Sequence, residues 1–137
     1  MKELTLAATV ENIAAVTEFV CAQLEEIGCP VKAQMQISIA IDELFGNIAH
    51  YAYHPGTGEA AVRFEAAEDG SSVVITFIDR GAPYNPLTAA EPDVTLSADD
   101  RSPGGLGIFM VRRSMDEMNY RYENGSNILS IRKNLRS

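Results

Sequence analysis

The stretch ISIAIDELFGNIAHYAY, residues 37–53, constrains the fold more than any other part of this sequence. It belongs to a helix predicted over residues 32–53, ending before the breaker His54-Pro55-Gly56. At about 100° per residue, Ile37, Ile41, Leu44 and Ile48 form one apolar stripe, wide enough to dock the helix on a sheet. Glu43, Asn47 and His50 form a second, polar stripe at i, i+4, i+7, about 120° round the helix from the first. Few other positions are polar, so this stripe is either the solvated face or a set of groups carried into a pocket. Spacing alone leaves both open. Gly46 costs about 1 kcal/mol relative to Ala in a helix interior, a cost more readily tolerated where something must approach the backbone.

The flanking sequence supplies the sheet. Residues 3–8 alternate as a first strand. Ile13, Val16, Phe19, Val20, Leu24 and Ile27 then recur at helical spacing over residues 11–27, with Gly28 and Pro30 as stop signals. Strands are predicted at residues 60–66 and 72–78, around the turn Glu68-Asp69-Gly70. A helix over residues 106–115 precedes strands 117–122 and 128–132, joined through Asn124-Gly125, a strong hairpin signal. The expected architecture is an α+β two-layer sandwich, a mixed, largely antiparallel sheet with helices on one face. Residues 1–137 read as a single domain, which at 46% hydrophobic content can bury a core without disulfides or metal.

Charge and cysteine usage exclude several classes. A net charge of −8 argues against a nucleic-acid binder. Residues 1–100 carry 4 basic and 16 acidic residues, whereas residues 101–137 carry 7 basic and 3 acidic. An anionic ligand would therefore favour the C-terminal third or bring its own cation. Cys21 and Cys29 suit neither a redox pair nor a zinc site and read as reduced thiols in a cytoplasmic protein. Neither a signal peptide nor a membrane-spanning run is evident.

Two further segments bear on chemistry. Asp79-Arg80-Gly81 closes the strand at 72–78, where a fixed carboxylate can accept the exocyclic amine of a purine, although such turns are common. Gly104-Gly105-Leu106-Gly107 opens a predicted helix, where bare backbone and free N–H groups suit a phosphate. This run matches neither a P-loop nor a dinucleotide fingerprint, and a hinge before a helix reads equally well. The segment between them, residues 79–107, holds four prolines and four glycines, and a loop of that length is often functional. An Asn carboxamide is a suitable ligand for Mg²⁺ that also holds phosphate oxygens, and a Glu one turn away can accept a proton.

Taken in order, an E-x-x-x-N box, a D-x-G turn, a lid and a glycine box resemble the GHKL superfamily of ATPases and kinases. The phrases DELFGNIAHYAY, DRGAPYNP and GGLGIFMVRRSMDEMNYRYENGSNILSIRK look most like its stand-alone anti-sigma-factor serine/threonine kinases. The resemblance covers about residues 5–133. It implies a GHKL-type fold that binds ATP with Mg²⁺, with Asn47 on the metal and Glu43 as general base. It further implies that Asp79 recognises adenine with Gly81 giving it room. Gly105, Leu106 and Gly107 would wrap the phosphates at the end of a lid over about residues 86–103, with Arg101 as a further contact. His50 is read as structural, and Arg112 and Arg113 as surface or partner-facing charge. Pro83 stands where the broader superfamily often has a second glycine, which points to the anti-sigma branch. The implied partners are a STAS-type antagonist as substrate, a sigma factor and a second copy in a homodimer. Two other functions stay open: a non-catalytic ATP-responsive binding switch, and a histidine-kinase-like ATPase module acting in trans.

Overall fold

The computed structural model describes residues 1–88 and 105–135. Eight main elements follow one another: β1 (Lys2–Ala7), α1 (Ile13–Glu26), α2 (Val31–Asn47), β2 (Glu59–Ala66), β3 (Ser72–Asp79), α3 (Gly105–Ser114), β4 (Glu117–Glu123) and β5 (Ser126–Asn134). The strands form one sheet in the order β1-β2-β3-β5-β4, and all four pairings are antiparallel. The expected sandwich is present, with its sheet antiparallel throughout the described residues. The β4–β5 hairpin turns through Asn124 and Gly125, both at positive φ (53° and 77°), as a two-residue primed turn requires.

Period-two burial in the strands creates the face on which the helices pack. Register aligns Val62, Phe77 and Leu129 across β2, β3 and β5, and one layer on it aligns Phe64, Ile75 and Ile131. All six side chains are buried. From the other layer α1 contributes Val16, Val20 and Leu24, α2 contributes Ile37, Ile41, Leu44 and Phe45, and α3 contributes Ile108 and Val111. Three of the four positions of the α2 apolar stripe are thus core, while Ile48 is half-buried. Cys21 and Cys29 are free thiols. Among the described residues no helix is long and apolar enough to cross a membrane.

Two features of α2 differ from the expectation. The helix does not run regularly to residue 53: beyond Asn47 it widens into a π-turn, Ile48–Ala52. Such insertions concentrate at functional sites. Gly46, moreover, is buried, and a Cβ added there would meet only Ile13 Cδ1 at 3.9 Å, an ordinary contact. Close approach to the backbone is therefore not what holds glycine at this position. Gly46→Ala is expected to stabilise the fold by about 1 kcal/mol by raising helix propensity. The urea midpoint should rise with an unchanged slope; a fall would show crowding that the geometry does not contain.

Candidate functional site

The second half of α2, its π-turn and the C-terminal end of β3 enclose a cavity of about 370 Å³. Leu44, Ile48 and Ala52 line it from the helix, and Phe77 and Leu129 from the sheet. Asn47, Asp79 and Asn127 supply polar groups, with Tyr51, Tyr84 and Tyr120 around them. Apolar walls with a few convergent polar groups are the usual make-up of a small-molecule site.

Asp79 is 5% exposed, a carboxylate that would be unstable in such a place without partners. Its Oδ1 accepts hydrogen bonds from the Gly81 N–H and from Asn127 Nδ2, each at 2.9 Å. A carboxylate offers about four lone-pair sites, so acceptor capacity remains for a donor on a ligand. Asn127, 6% exposed, is the hub of the local network. Its Nδ2 also donates to the Ala82 carbonyl at 3.0 Å, and its Oδ1 accepts from the Tyr84 N–H and the Tyr120 hydroxyl. Burial raises the pKa of that hydroxyl and so keeps it a donor, while the hydrogen bond with the Tyr84 backbone opposes the shift.

The turn after Asp79 is held from the helix side as well. The Ala82 N–H donates to the Ala52 carbonyl at 2.9 Å. A Cβ on Gly81 would stand 2.1 Å from that carbonyl oxygen, so only glycine lets β3's turn meet the π-turn. The requirement at Gly81 comes from the protein's own backbone, not solely from room for a ligand. Tyr53, just beyond the π-turn, donates its hydroxyl to the Glu59 carbonyl at 2.6 Å and accepts from the Arg80 N–H at 2.7 Å.

Glu43 lies one turn before Asn47 on α2, outside the cavity lining. Its Oε1 is shielded from solvent and has no hydrogen-bond partner among the described residues. Burial raises the carboxyl pKa above its ordinary value, and the nearby Asn47 side chain, a hydrogen-bond donor, partly opposes this. Gly107, in the first turn of α3, lies directly against the carboxyl group. Structure therefore brings together Glu43, Asn47, Asp79, Gly81 and Gly107. Gly105 and Leu106 open α3 as expected, whereas Arg101 and most of the lid fall outside the described residues. His50 is exposed, and Arg112 reaches the Leu87 carbonyl at 3.5 Å. Sequence reasoning missed Asn127, Tyr120 and Tyr53. The signal for Asn127 was strand register: extending β5 back to Ser126 pairs Asn127 with Asp79.

Residues 6–133 match the family described as the histidine kinase-like ATPase domain. The chain belongs to that family. It is 30% identical over 100 residues to the serine/threonine-protein kinase BtrW of Bordetella bronchiseptica, covering 73% of this chain and 70% of the relative. It is 23% identical over 131 residues to the serine-protein kinase RsbW of Bacillus mycoides, covering 93% and 81%. Among solved structures, the RsbU and RsbW domains of a Mycobacterium tuberculosis protein superpose with a TM-score of 0.67 at 20% identity, over 98% of this chain and 33% of that longer one. The GHKL-type fold implied by the three boxes is thus the fold observed.

The raised Glu43 pKa has a stability consequence. A folded carboxyl that holds its proton more tightly than in the unfolded chain contributes stability fully present below the unfolded value, and this is lost as pH rises through the raised folded value. Glu43→Gln, which cannot ionise, should therefore gain in melting temperature over the parent as pH rises from the ordinary carboxyl range through the raised folded value. A difference independent of pH would mean that the carboxylate is not penalised by its surroundings.

Proposed function

We propose that this protein is an ATP-dependent serine/threonine protein kinase acting as an anti-sigma factor, with a STAS-type antagonist as its phosphoacceptor. The observation that carries the reading is the placement of a proton-hungry carboxyl, Glu43, one helical turn from Asn47 at the edge of an apolar cavity with Asp79 in its wall. Family membership and the named kinase activity of its relatives support it.

The cavity suits a purine: Leu44, Ile48, Phe77 and Leu129 offer apolar surface, and Asp79 offers an acceptor for an exocyclic amine. Gly81 keeps the turn closed beneath that carboxylate. Among the described residues no cluster of three or more His, Cys, Asp or Glu could hold a metal. A single carboxamide, Asn47, fits Mg²⁺ instead, since that ion keeps several waters and takes its other ligands from phosphates. ATP with Mg²⁺ would supply the transferable γ-phosphoryl group and offset its charge. Gly105, Leu106 and Gly107, at the start of α3, would present backbone N–H groups to the phosphates. Glu43 takes the proton of the attacking serine or threonine hydroxyl as its oxygen bonds to the γ-phosphorus and ADP leaves. A carboxyl pKa shifted upward makes a better base than an ordinary glutamate, provided the pH stays above it.

Arg101 and a homodimer remain further parts of this proposal, as does a sigma factor as the second protein partner. Glu43→Ala should bind Mg-ATP normally and lose phosphotransfer to a STAS-domain protein by about 10²- to 10⁴-fold. Asn47→Ala should instead weaken Mg-ATP binding in equilibrium titration. Labelled ATP mixed with authentic STAS partners reads both. Transfer at the parental rate by Glu43→Ala overturns the base assignment, and tight partner binding without any transfer by the parent favours a non-catalytic switch.

A further inference from the structure

A Cβ built on Gly107 would stand 2.2 Å from Glu43 Cδ, 2.3 Å from Oε1 and 2.4 Å from Oε2. The contact differs in kind from the other crowded glycines. At Gly81 the obstacle is the Ala52 backbone, and at Gly58 it is the ring of Tyr53. At Gly107 the three nearest atoms all belong to one carboxyl group, the far end of a side chain able to swing aside. An alanine there would therefore be accommodated by moving the carboxyl, not by parting α2 from α3. The shielded Oε1 makes no hydrogen bond among the described residues, so contact with the α3 backbone defines its position on that side.

We propose that Gly107 is a positioning residue for Glu43: the space left by its missing side chain is where the catalytic carboxyl stands. This rests on the reading of Glu43 as general base and deepens it. The glycine run was expected to leave room for phosphates, yet at Gly107 the room is filled by the protein's own carboxyl group. A displaced base meets the acceptor hydroxyl from the wrong place, and it does so without altering the purine-binding cavity, whose lining excludes both residues.

The test uses the full chain, Mg-ATP and a STAS-domain acceptor. Gly107→Ala should lose about 10²-fold in kcat, the scale of a misplacement near 1 Å, a loss well beyond any change in its Kd for Mg-ATP. In a Glu43→Ala background the same substitution should have no further effect on transfer. Urea midpoints should show that Gly107→Ala costs less stability in the Glu43→Ala background than in the parent, since the atoms it crowds are those of the carboxyl. An equal stability cost, or an equal loss of Mg-ATP affinity, with and without Glu43 overturns the proposal in favour of phosphate room alone. Should Gly107→Ala fail to fold, rescue by Glu43→Ala in the same chain supports the contact, and failure of rescue overturns it. Normal transfer by Glu43→Ala alone would instead remove the base assignment, while the stability cycle would still report whether Gly107 seats the carboxyl.

Discussion

The site depends on one backbone junction, where the Ala52 carbonyl at the end of the π-turn accepts from the Ala82 N–H just after β3. Over the core, helix layer and sheet layer pack through apolar side chains, which can repack. Here they meet through main chain, and the meeting requires that residue 81 have no side chain. Two of the cavity's polar side chains, Asp79 and Asn127, are tied to that junction. Asp79 precedes Ala82 by three residues, Asn127 bridges from Asp79 to the Ala82 carbonyl, and Tyr53 ties the Arg80 N–H to the start of β2. A buried carboxylate is tolerable only in such a network, where each lost partner would leave a costly unpaired group.

The π-turn explains how the helix reaches this point. Ile48 keeps the regular helical bond to the Leu44 carbonyl and packs against the core from a half-buried position, lining the cavity as well. Beyond it the wider turn brings Tyr51 and Ala52 to the cavity wall. Local regularity gives way where a ligand-sized space is formed, the pattern expected where function and packing compete.

What the sequence revealed follows from the range of the interactions involved. The apolar stripe Ile37, Ile41 and Leu44 and the Glu43–Asn47 pair are set within one helix, so spacing sufficed to find them. The turn at Asn124-Gly125 is equally local, and both residues take the positive φ that their identities suggest. Asn127 escaped notice because its role comes from cross-strand register: counted as part of the turn it is unremarkable, but as the second residue of β5 it stands opposite Asp79. Gly46 shows the opposite error. A glycine inside a helix suggested close approach, yet the surroundings would admit a methyl group.

Gly107 and Glu43, 64 positions apart in the sequence, show why a list of motifs falls short of a site. Each belongs to a different box, and each box has a sufficient local explanation: the carboxylate as base, the glycine as phosphate loop. Neither explanation predicts that the two touch. Contact between them means that α3 bears on the Glu43 carboxyl as well as on anything held at its own start. Movement of the glycine segment would then change the carboxyl's surroundings, and through burial its proton affinity. The Glu43 carboxyl and the start of α3 are in this way one mechanical unit, and substitutions in either should be read for their effect on the other.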